Sequence, residues 1–164
     1  MQSLPAGAPN TMNEAFAYIA SLDSPSVDDL KLMVMLEALG KDLYDDMASG
    51  VEDEGVRALL HKNGREELAH AHRVSRAIGA MTGTDYPVPE RDENPLLAEA
   101  QKPRGVTRDM LLALAQSEFG GEALYERWAS HCDNGEAAAL FRQNGREEAG
   151  HGARLQQAAA LLPA

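Results

Sequence analysis

The sequence Asn-Gly-Arg-Glu-Glu-Leu-Ala-His occupies residues 63–70, and Asn-Gly-Arg-Glu-Glu-Ala-Gly-His occupies residues 144–151. Each copy contains the pattern Glu-x-x-His. Residues three apart lie on one face of an α-helix, so that each Glu and His can point at one metal ion. The two copies therefore indicate two metal ions, or one shared site. The residues concerned are Glu67 with His70 and Glu148 with His151.

The repeat extends beyond this stretch, at the same constant offset that relates Glu67 to Glu148. The same offset relates Glu37 to Glu118 and Tyr44 to Tyr125. Each half therefore contains a lone Glu, followed at the same distance in both halves by Glu-x-x-His. Two copies are too few for a solenoid, and they favour a duplicated helical hairpin. We therefore predict an all-α fold, an antiparallel four-helix bundle whose inner face carries these glutamates and histidines.

The composition narrows the class of protein. The chain has 164 residues, enough for one domain with a real core, and only 5% of them are aromatic. The net charge of −11 argues against a nucleic-acid partner. A single cysteine, Cys132, leaves no disulfide framework and no Cys-x-x-Cys metal site. No stretch approaches the roughly 20 apolar residues of a membrane span, and the N-terminus lacks a signal-peptide pattern, so we expect a cytoplasmic protein.

The apolar periodicity places the helices. Residues 1–25 are predicted to form an N-terminal tail with a short helix, and residues 26–164 the bundle. The four long helices are predicted at about 26–49, 53–81, 107–132 and 136–162. The link 82–106 contains four prolines and is long for a compact domain. An extended link of this length spans up to ~80 Å, against ~40 Å for each of the longer helices. It can therefore cross from one end of the bundle to the other, which makes the second and third long helices parallel.

Four glutamates and two histidines on inner helix faces need compensation. A buried, unpaired carboxylate is strongly unfavourable, and four together repel one another and raise their pKa values. Two divalent cations would balance four negative charges. Carboxylate oxygens with one imidazole per metal suit iron or manganese, and zinc could also bind. The alternative is that these glutamates are exposed and the histidines ordinary, and the duplicated spacing argues against it.

Other repeated residues have two interpretations. Tyr44 and Tyr125 lie two helical turns after the lone glutamates, and either hydrogen-bond metal-binding carboxylates or are simply core tyrosines. Asn63 and Asn144 either support the site or pack helices together. The remaining repeated carboxylates lie about 100° off the inner face, and are predicted to face solvent or to pair with an arginine. These carboxylates are Glu66 and Glu147.

The full pattern resembles the ferritin-like di-iron carboxylate proteins. Within that superfamily, the segment Glu-Ala-Leu-Gly-Lys-Asp-Leu-Tyr at residues 37–44, followed by Glu-x-x-His, is most similar to rubrerythrins, and the resemblance covers about residues 27–162. It implies two iron ions, with redox chemistry on peroxide or dioxygen, or oxidation of Fe(II). We also expect a homodimer. The implied roles are terminal ligands for Glu37 and Glu118, bridging ligands for Glu67 and Glu148, and one iron each for His70 and His151.

The chain departs from rubrerythrins in two respects. It contains no Cys-x-x-Cys pair of a rubredoxin-like domain, so a separate electron-donor protein is expected. A further rubrerythrin glutamate, one helical turn after the ligand that matches Glu118, is here Gly121, and the nearest carboxylate is Glu122. Two other functions therefore stay open: iron binding or storage without turnover, and hydroxylation of a small organic substrate.

Overall fold

The computed structural model describes residues 2–97 and 105–163, and within these ranges it contains five helices and no strands. The all-α prediction is therefore confirmed, and the ends of the helices lie close to the predicted ones. The helices are α1 Met12–Ala20, α2 Val27–Ser49, α3 Glu54–Thr82, α4 Arg108–Ser130 and α5 Gly135–Leu161.

Local sequence explains where the long helices begin. Each of them follows a residue whose side chain accepts a hydrogen bond from the backbone N–H three positions later, which satisfies an otherwise free helical donor. Ser26 and Asp29 satisfy each other's backbone N–H groups in a capping box at the start of α2. Gly83 ends α3 in the left-handed conformation, with φ of 86°. The N-terminal capping residues are Ser26, Asp53, Thr107 and Asn134.

Close contacts define two antiparallel hairpins. In the first hairpin, Gly40 of α2 lies against Glu67 of α3, and Tyr44 lies against Gly64. As the numbers rise along α2 they fall along α3, so the two helices are antiparallel. The same contacts recur at the equivalent positions of the second half, between α4 and α5. This second set consists of Gly121 against Glu148 and Tyr125 against Gly145.

The two hairpins join through α3 and α5. Asn63 donates a hydrogen bond to the backbone carbonyl of His151, and Asn144 donates one to that of His70, each at 3.3 Å. Helices α3 and α5 are therefore antiparallel. Because α4 is antiparallel to α5, it runs parallel to α3, and the connection between α3 and α4 has to return along the bundle. This confirms the predicted crossover.

The crossover and the N-terminal segment cover the outer face of α2. Asn94 donates a hydrogen bond to the carbonyl of Met35 at 2.8 Å, and Arg91 pairs with Asp46 at 2.7 Å. Ile19 of α1 belongs to the same apolar cluster as α2. More than half of the residues of α2 are buried, against fewer than a quarter in α4, so α2 is enclosed on more than its inner face.

Two apolar clusters fill the bundle above and below its middle. Along α3, α4 and α5, a glutamate separates the residues of one cluster from those of the other. In α4, for example, Glu118 lies between Leu111 and Tyr125. The polar residues therefore form a layer at mid-height, enclosed by apolar core on both sides.

In the described part of the chain, no helix has the length and apolar character that a membrane crossing requires. The division of the chain near residue 26 and the cytoplasmic location stay predictions.

Candidate metal centre

The duplicated Glu-x-x-His pairs meet in the polar layer. Ligand atoms of Glu67, His70, Glu148 and His151 all lie within 4.8 Å of one another, and the four residues are buried. Helix α3 supplies the first pair and α5 the second. The i, i+3 spacing aims each pair inward, and the antiparallel contact of α3 with α5 brings the pairs face to face. The rings of His70 and His151 stack with their centroids 5.0 Å apart.

Three carboxylates surround the Nδ1 atom of His70. Its distances are 3.2 Å to Glu148 Oε1, 3.6 Å to Glu37 Oε2 and 3.9 Å to Glu67 Oε2. These residues come from α2, α3 and α5. The arrangement is one imidazole nitrogen with three carboxylate oxygens around one position.

A matching set surrounds the Nδ1 atom of His151. Its distances are 3.1 Å to Glu67 Oε1, 3.5 Å to Glu148 Oε2 and 3.6 Å to Glu118 Oε2. Glu67 and Glu148 thus present one oxygen to each histidine, while Glu37 faces only His70 and Glu118 only His151. The structure brings all six predicted ligands together, and we call them the Glu/His cluster.

The opposite ring nitrogens contact carboxylates that lie outside the Glu/His cluster. His70 Nε2 lies 3.1 Å from Glu147 Oε2, and His151 Nε2 lies 3.1 Å from Glu66 Oε2. A carboxylate only accepts hydrogen bonds, so we assign the imidazole proton to Nε2. In the neutral histidine that a metal ion requires, the lone pair of each Nδ1 then points into the Glu/His cluster.

Arginines hold these two outer carboxylates. Arg73 pairs with Glu147 at 2.8 Å, and Arg154 pairs with Glu66. Hydrogen bonding to His70 and the pairing with Arg73 lower the pKa of Glu147 to about 2. The sequence predicted the arginine pairing as one of two alternatives, but it missed the contact with the histidine of the other helix. Because both halves repeat Glu-Glu-x-x-His followed one turn later by an Arg, the repeat itself carried a signal for this network.

The two Nδ1 atoms test whether the Glu/His cluster fits metal ions. Both are buried, and within the described residues neither has a hydrogen-bond partner. A buried acceptor without a donor is unfavourable, and here each faces carboxylates that are acceptors as well. A divalent cation between the nitrogen and the oxygens would satisfy all of them. The donor set therefore fits metal ions.

The metal-free cluster holds protons unusually tightly at its two central carboxylates. Burial, reinforced by the charges of neighbouring carboxylates, raises the pKa of Glu67 well above its usual value. Burial also raises the pKa of Glu148 to about 8, although the nearby His70 opposes the shift. Burial alone would raise the pKa of Glu37 and Glu118 too, but the neighbouring histidines and the hydrogen bonds from Tyr125 and Tyr44 together outweigh it and leave both pKa values below the usual range.

Two tyrosines cross between α2 and α4. Tyr44 donates a hydrogen bond to Glu118 Oε1 at 2.5 Å, and Tyr125 donates one to Glu37 Oε1. Burial and the facing carboxylate raise the pKa of both phenols well above the usual value, so each keeps its donor proton. Each tyrosine therefore restrains a glutamate of the opposite hairpin, Glu118 in one case and Glu37 in the other. The role of these glutamates as metal ligands stays a prediction.

The repeated asparagines connect the helices and the arginine network. Besides donating to the carbonyl of a histidine on the other helix, Asn63 accepts a hydrogen bond from Arg154 at 2.6 Å, and Asn144 accepts one from Arg73 at 3.0 Å. Both asparagines are fully buried. They join α3 to α5 and at the same time hold the arginines that bind the outer carboxylates.

Two glycines make room for the central carboxylates. A Cβ atom on Gly121 would lie 2.9 Å from Cγ of Glu148, and one on Gly40 would lie 3.2 Å from Cδ of Glu67. A larger residue at position 121 would therefore displace Glu148. Glu122 is exposed, and its side chain does not join the Glu/His cluster.

No family model matches the chain, and no curated protein or solved structure matches it either. The functional assignment therefore depends on the geometry of the Glu/His cluster.

Proposed function

We propose that this protein is a ferritin-like, rubrerythrin-like di-iron carboxylate protein that performs redox chemistry on peroxide or dioxygen, or oxidises Fe(II). The observation that carries the proposal is the sharing of carboxylates between two histidines. Glu67 and Glu148 each direct one oxygen to His70 Nδ1 and the other to His151 Nδ1. This is the placement that two bridging carboxylates between two metal ions require.

The charges support two divalent ions rather than one. The Glu/His cluster contains four carboxylates, and the additional pair, Glu66 and Glu147, is already compensated by Arg154 and Arg73. Two divalent cations would therefore neutralise the buried layer. Carboxylate oxygens with one imidazole per metal suit iron or manganese, and zinc can bind the same donors. Iron is the ion that we propose, because redox chemistry at this layer needs it or manganese.

Each residue of the Glu/His cluster has a proposed role. Glu67 and Glu148 would bridge the ions, and Glu37 with His70, and Glu118 with His151, would complete one ion each. When bound, a pair of Fe(II) ions supplies one electron from each iron, which matches the two-electron reduction of peroxide.

The surrounding side chains orient this site and exclude water from it. Glu147 and Glu66 hold the imidazole protons at Nε2, so that Nδ1 stays free to bind. Tyr44 and Tyr125 hold Glu118 and Glu37 by hydrogen bonds. The apolar clusters above and below keep bulk water from the layer. A separate protein would supply the electrons, and the chain would act as a homodimer.

The test is metal analysis followed by rapid mixing. Protein produced with iron present should contain two irons per chain, and its anaerobically reduced form should oxidise readily with both peroxide and dioxygen in stopped-flow absorbance. The absence of a side chain at Gly121 is the reason to expect reaction with both oxidants. Glu122→Gln, an exposed change on the same helix, is the matched control.

Three outcomes would contradict parts of the proposal. A reduced centre that is inert to both oxidants would leave a metal-binding bundle without redox function. Uptake of iron far beyond two per chain would instead indicate storage. A strong preference for peroxide over dioxygen would show that another group replaces the carboxylate missing at Gly121.

A further inference from the structure

One half of the bundle contains an aromatic cluster that the other half does not repeat. It consists of Tyr125, Trp128 and Phe141, which are all buried. The equivalent positions of the first half hold Tyr44, Met47 and Leu60. The duplication thus keeps the tyrosine beside the Glu/His cluster and changes both of its neighbours.

The aromatic cluster leads away from the Glu/His cluster. Tyr125 donates its hydroxyl hydrogen bond to Glu37 Oε1, and its ring centroid lies 6.4 Å from that of His70. The ring of Trp128 follows, with its centroid 5.6 Å from Tyr125 at an interplanar angle of 77°. Phe141 packs against both rings, at 6.2 and 5.9 Å. Electronic overlap falls off exponentially with separation, so rings in such contact exchange electrons readily.

The outer end of the aromatic cluster borders a cavity of about 340 Å³. Trp128 and Phe141 line the cavity together with the exposed residues His131 and Asp133, so it opens to the surface. The residues of the Glu/His cluster all belong to the described part of the chain, and none of them lines this cavity. A small molecule in the cavity would therefore contact the aromatic cluster without reaching the metal ligands.

We propose that Trp128 and Tyr125 form a one-electron relay from this cavity to the Glu/His cluster. The proposal rests on the redox function proposed above. The electron comes from a small planar reductant of the hydroquinone class, whose size suits the cavity and whose ring can pack against Trp128 and Phe141. The indole and the phenol are the two oxidisable rings along the path, and Phe141 packs against both of them.

Electrons and protons are conserved at each step of the relay. Loss of an electron from Tyr125 to a bound metal ion would release the phenol proton to Glu37 Oε1, the oxygen that does not face His70. Trp128 returns an electron to the phenoxyl, and the proton comes back from Glu37. The hydroquinone then restores the indole, losing one electron and releasing one proton to solvent. The indole N–H keeps its hydrogen bond to the carbonyl of Leu22 at 3.0 Å throughout.

The unequal halves provide an internal control. Tyr44 makes the equivalent hydrogen bond, to Glu118, and its ring lies at the same 6.4 Å from the nearest histidine, His151. Its outer neighbour is Met47, where the other half has Trp128. Removing the Tyr44 hydroxyl thus disturbs the layer as much as removing the Tyr125 hydroxyl, but it leaves the relay intact.

The decisive experiment uses metal-free protein, so that it does not depend on the proposed metal function. A Tyr18→Phe/Tyr86→Phe background removes the tyrosines outside the layer. A photogenerated tris(bipyridine)ruthenium(III) oxidant should then yield a tyrosyl signal in electron paramagnetic resonance. We expect Tyr125→Phe and Trp128→Phe each to lose this signal, and Tyr44→Phe to retain it.

Survival of the signal in Tyr125→Phe, or its loss in Tyr44→Phe, would overturn the relay. If Trp128→Phe does not fold, transient absorption of the Tyr18→Phe/Tyr86→Phe protein still tests whether the indole passes its oxidation on to the phenol. There the indole radical should decay as the tyrosyl radical grows, and unrelated time courses would overturn the proposal.

A second experiment uses iron-loaded, oxidised protein. Hydroquinone should reduce the metal centre more slowly in Trp128→Phe than in a Met47→Leu control. Equal rates would also refute the relay, whereas loss of iron binding alone would contradict only the metal function.

Discussion

Removing the metal ions should make the stability of this protein fall as pH rises from about 5 to 8. The cause is the proton that Glu148 retains in the folded chain, where its pKa is raised from 4.5 to about 8, while the unfolded chain releases it. Each retained proton lowers the free energy of unfolding by about 1.4 kcal/mol per pH unit. Between pH 5 and 8 the shift of Glu148 alone corresponds to about 3–4 kcal/mol, a large part of the whole stability of many domains.

Other titrating groups of the layer act in the same direction or outside this interval. Glu67 also has a raised pKa, so it too favours the folded chain at the acidic end. Burial alone would lower the pKa of His70, but the hydrogen bond to Glu147 and the other surrounding carboxylates outweigh it and raise this pKa, so the contribution of His70 to stability is lost as pH rises. Glu37 and Glu118 have lowered pKa values, so their contributions are lost only below the usual carboxylate range.

The assay is urea denaturation followed by circular dichroism, at pH steps and with a chelator present. Glu148→Gln, which carries no titrating proton, should flatten the decline of stability with pH, and the exposed Glu122→Gln should leave it unchanged. Metal-loaded protein should lose the decline, because bound metal ions require ionised carboxylates. A metal-free stability that rises steadily over this interval, or a decline that Glu148→Gln does not alter, would refute the reasoning.

Three further substitutions test the geometry of the layer. Glu67→Ala removes a carboxylate that faces both histidines, so metal content should fall sharply; two metals per chain in this variant would show that the bridging role is wrong. Glu147→Gln should weaken metal affinity by about 10–100-fold in a chelator-competition titration, since the histidine loses its orienting carboxylate, and an unchanged affinity would deny that role. Gly121→Ala should cost about 1–3 kcal/mol in denaturation experiments, and more than Gly40→Ala, because its Cβ would approach a glutamate to 2.9 Å rather than 3.2 Å. Equal costs would show that the glutamates move aside freely.

Sequence alone determined the helices and the identity of the candidate ligands, because both depend on local geometry. A helix completes a turn in fewer than four residues, so the spacing from Glu67 to His70 places both side chains on one face in any helical context. Capping by Ser26 and Thr107 likewise involves neighbours within one turn. The constant offset of the duplication then related the halves, and the long proline-containing link implied a crossover.

Tertiary structure decided which groups meet across helices. The sequence placed Glu66 and Glu147 off the inner face, and only the packing of α3 against α5 brings each to the histidine of the other helix. Periodicity predicted one buried face for α2, but the crossover and α1 enclose its outer face as well. The path from Tyr125 to a surface cavity is also a property of the packed bundle. The relative rotation and register of helices depend on contacts between residues far apart in sequence, which no local pattern records.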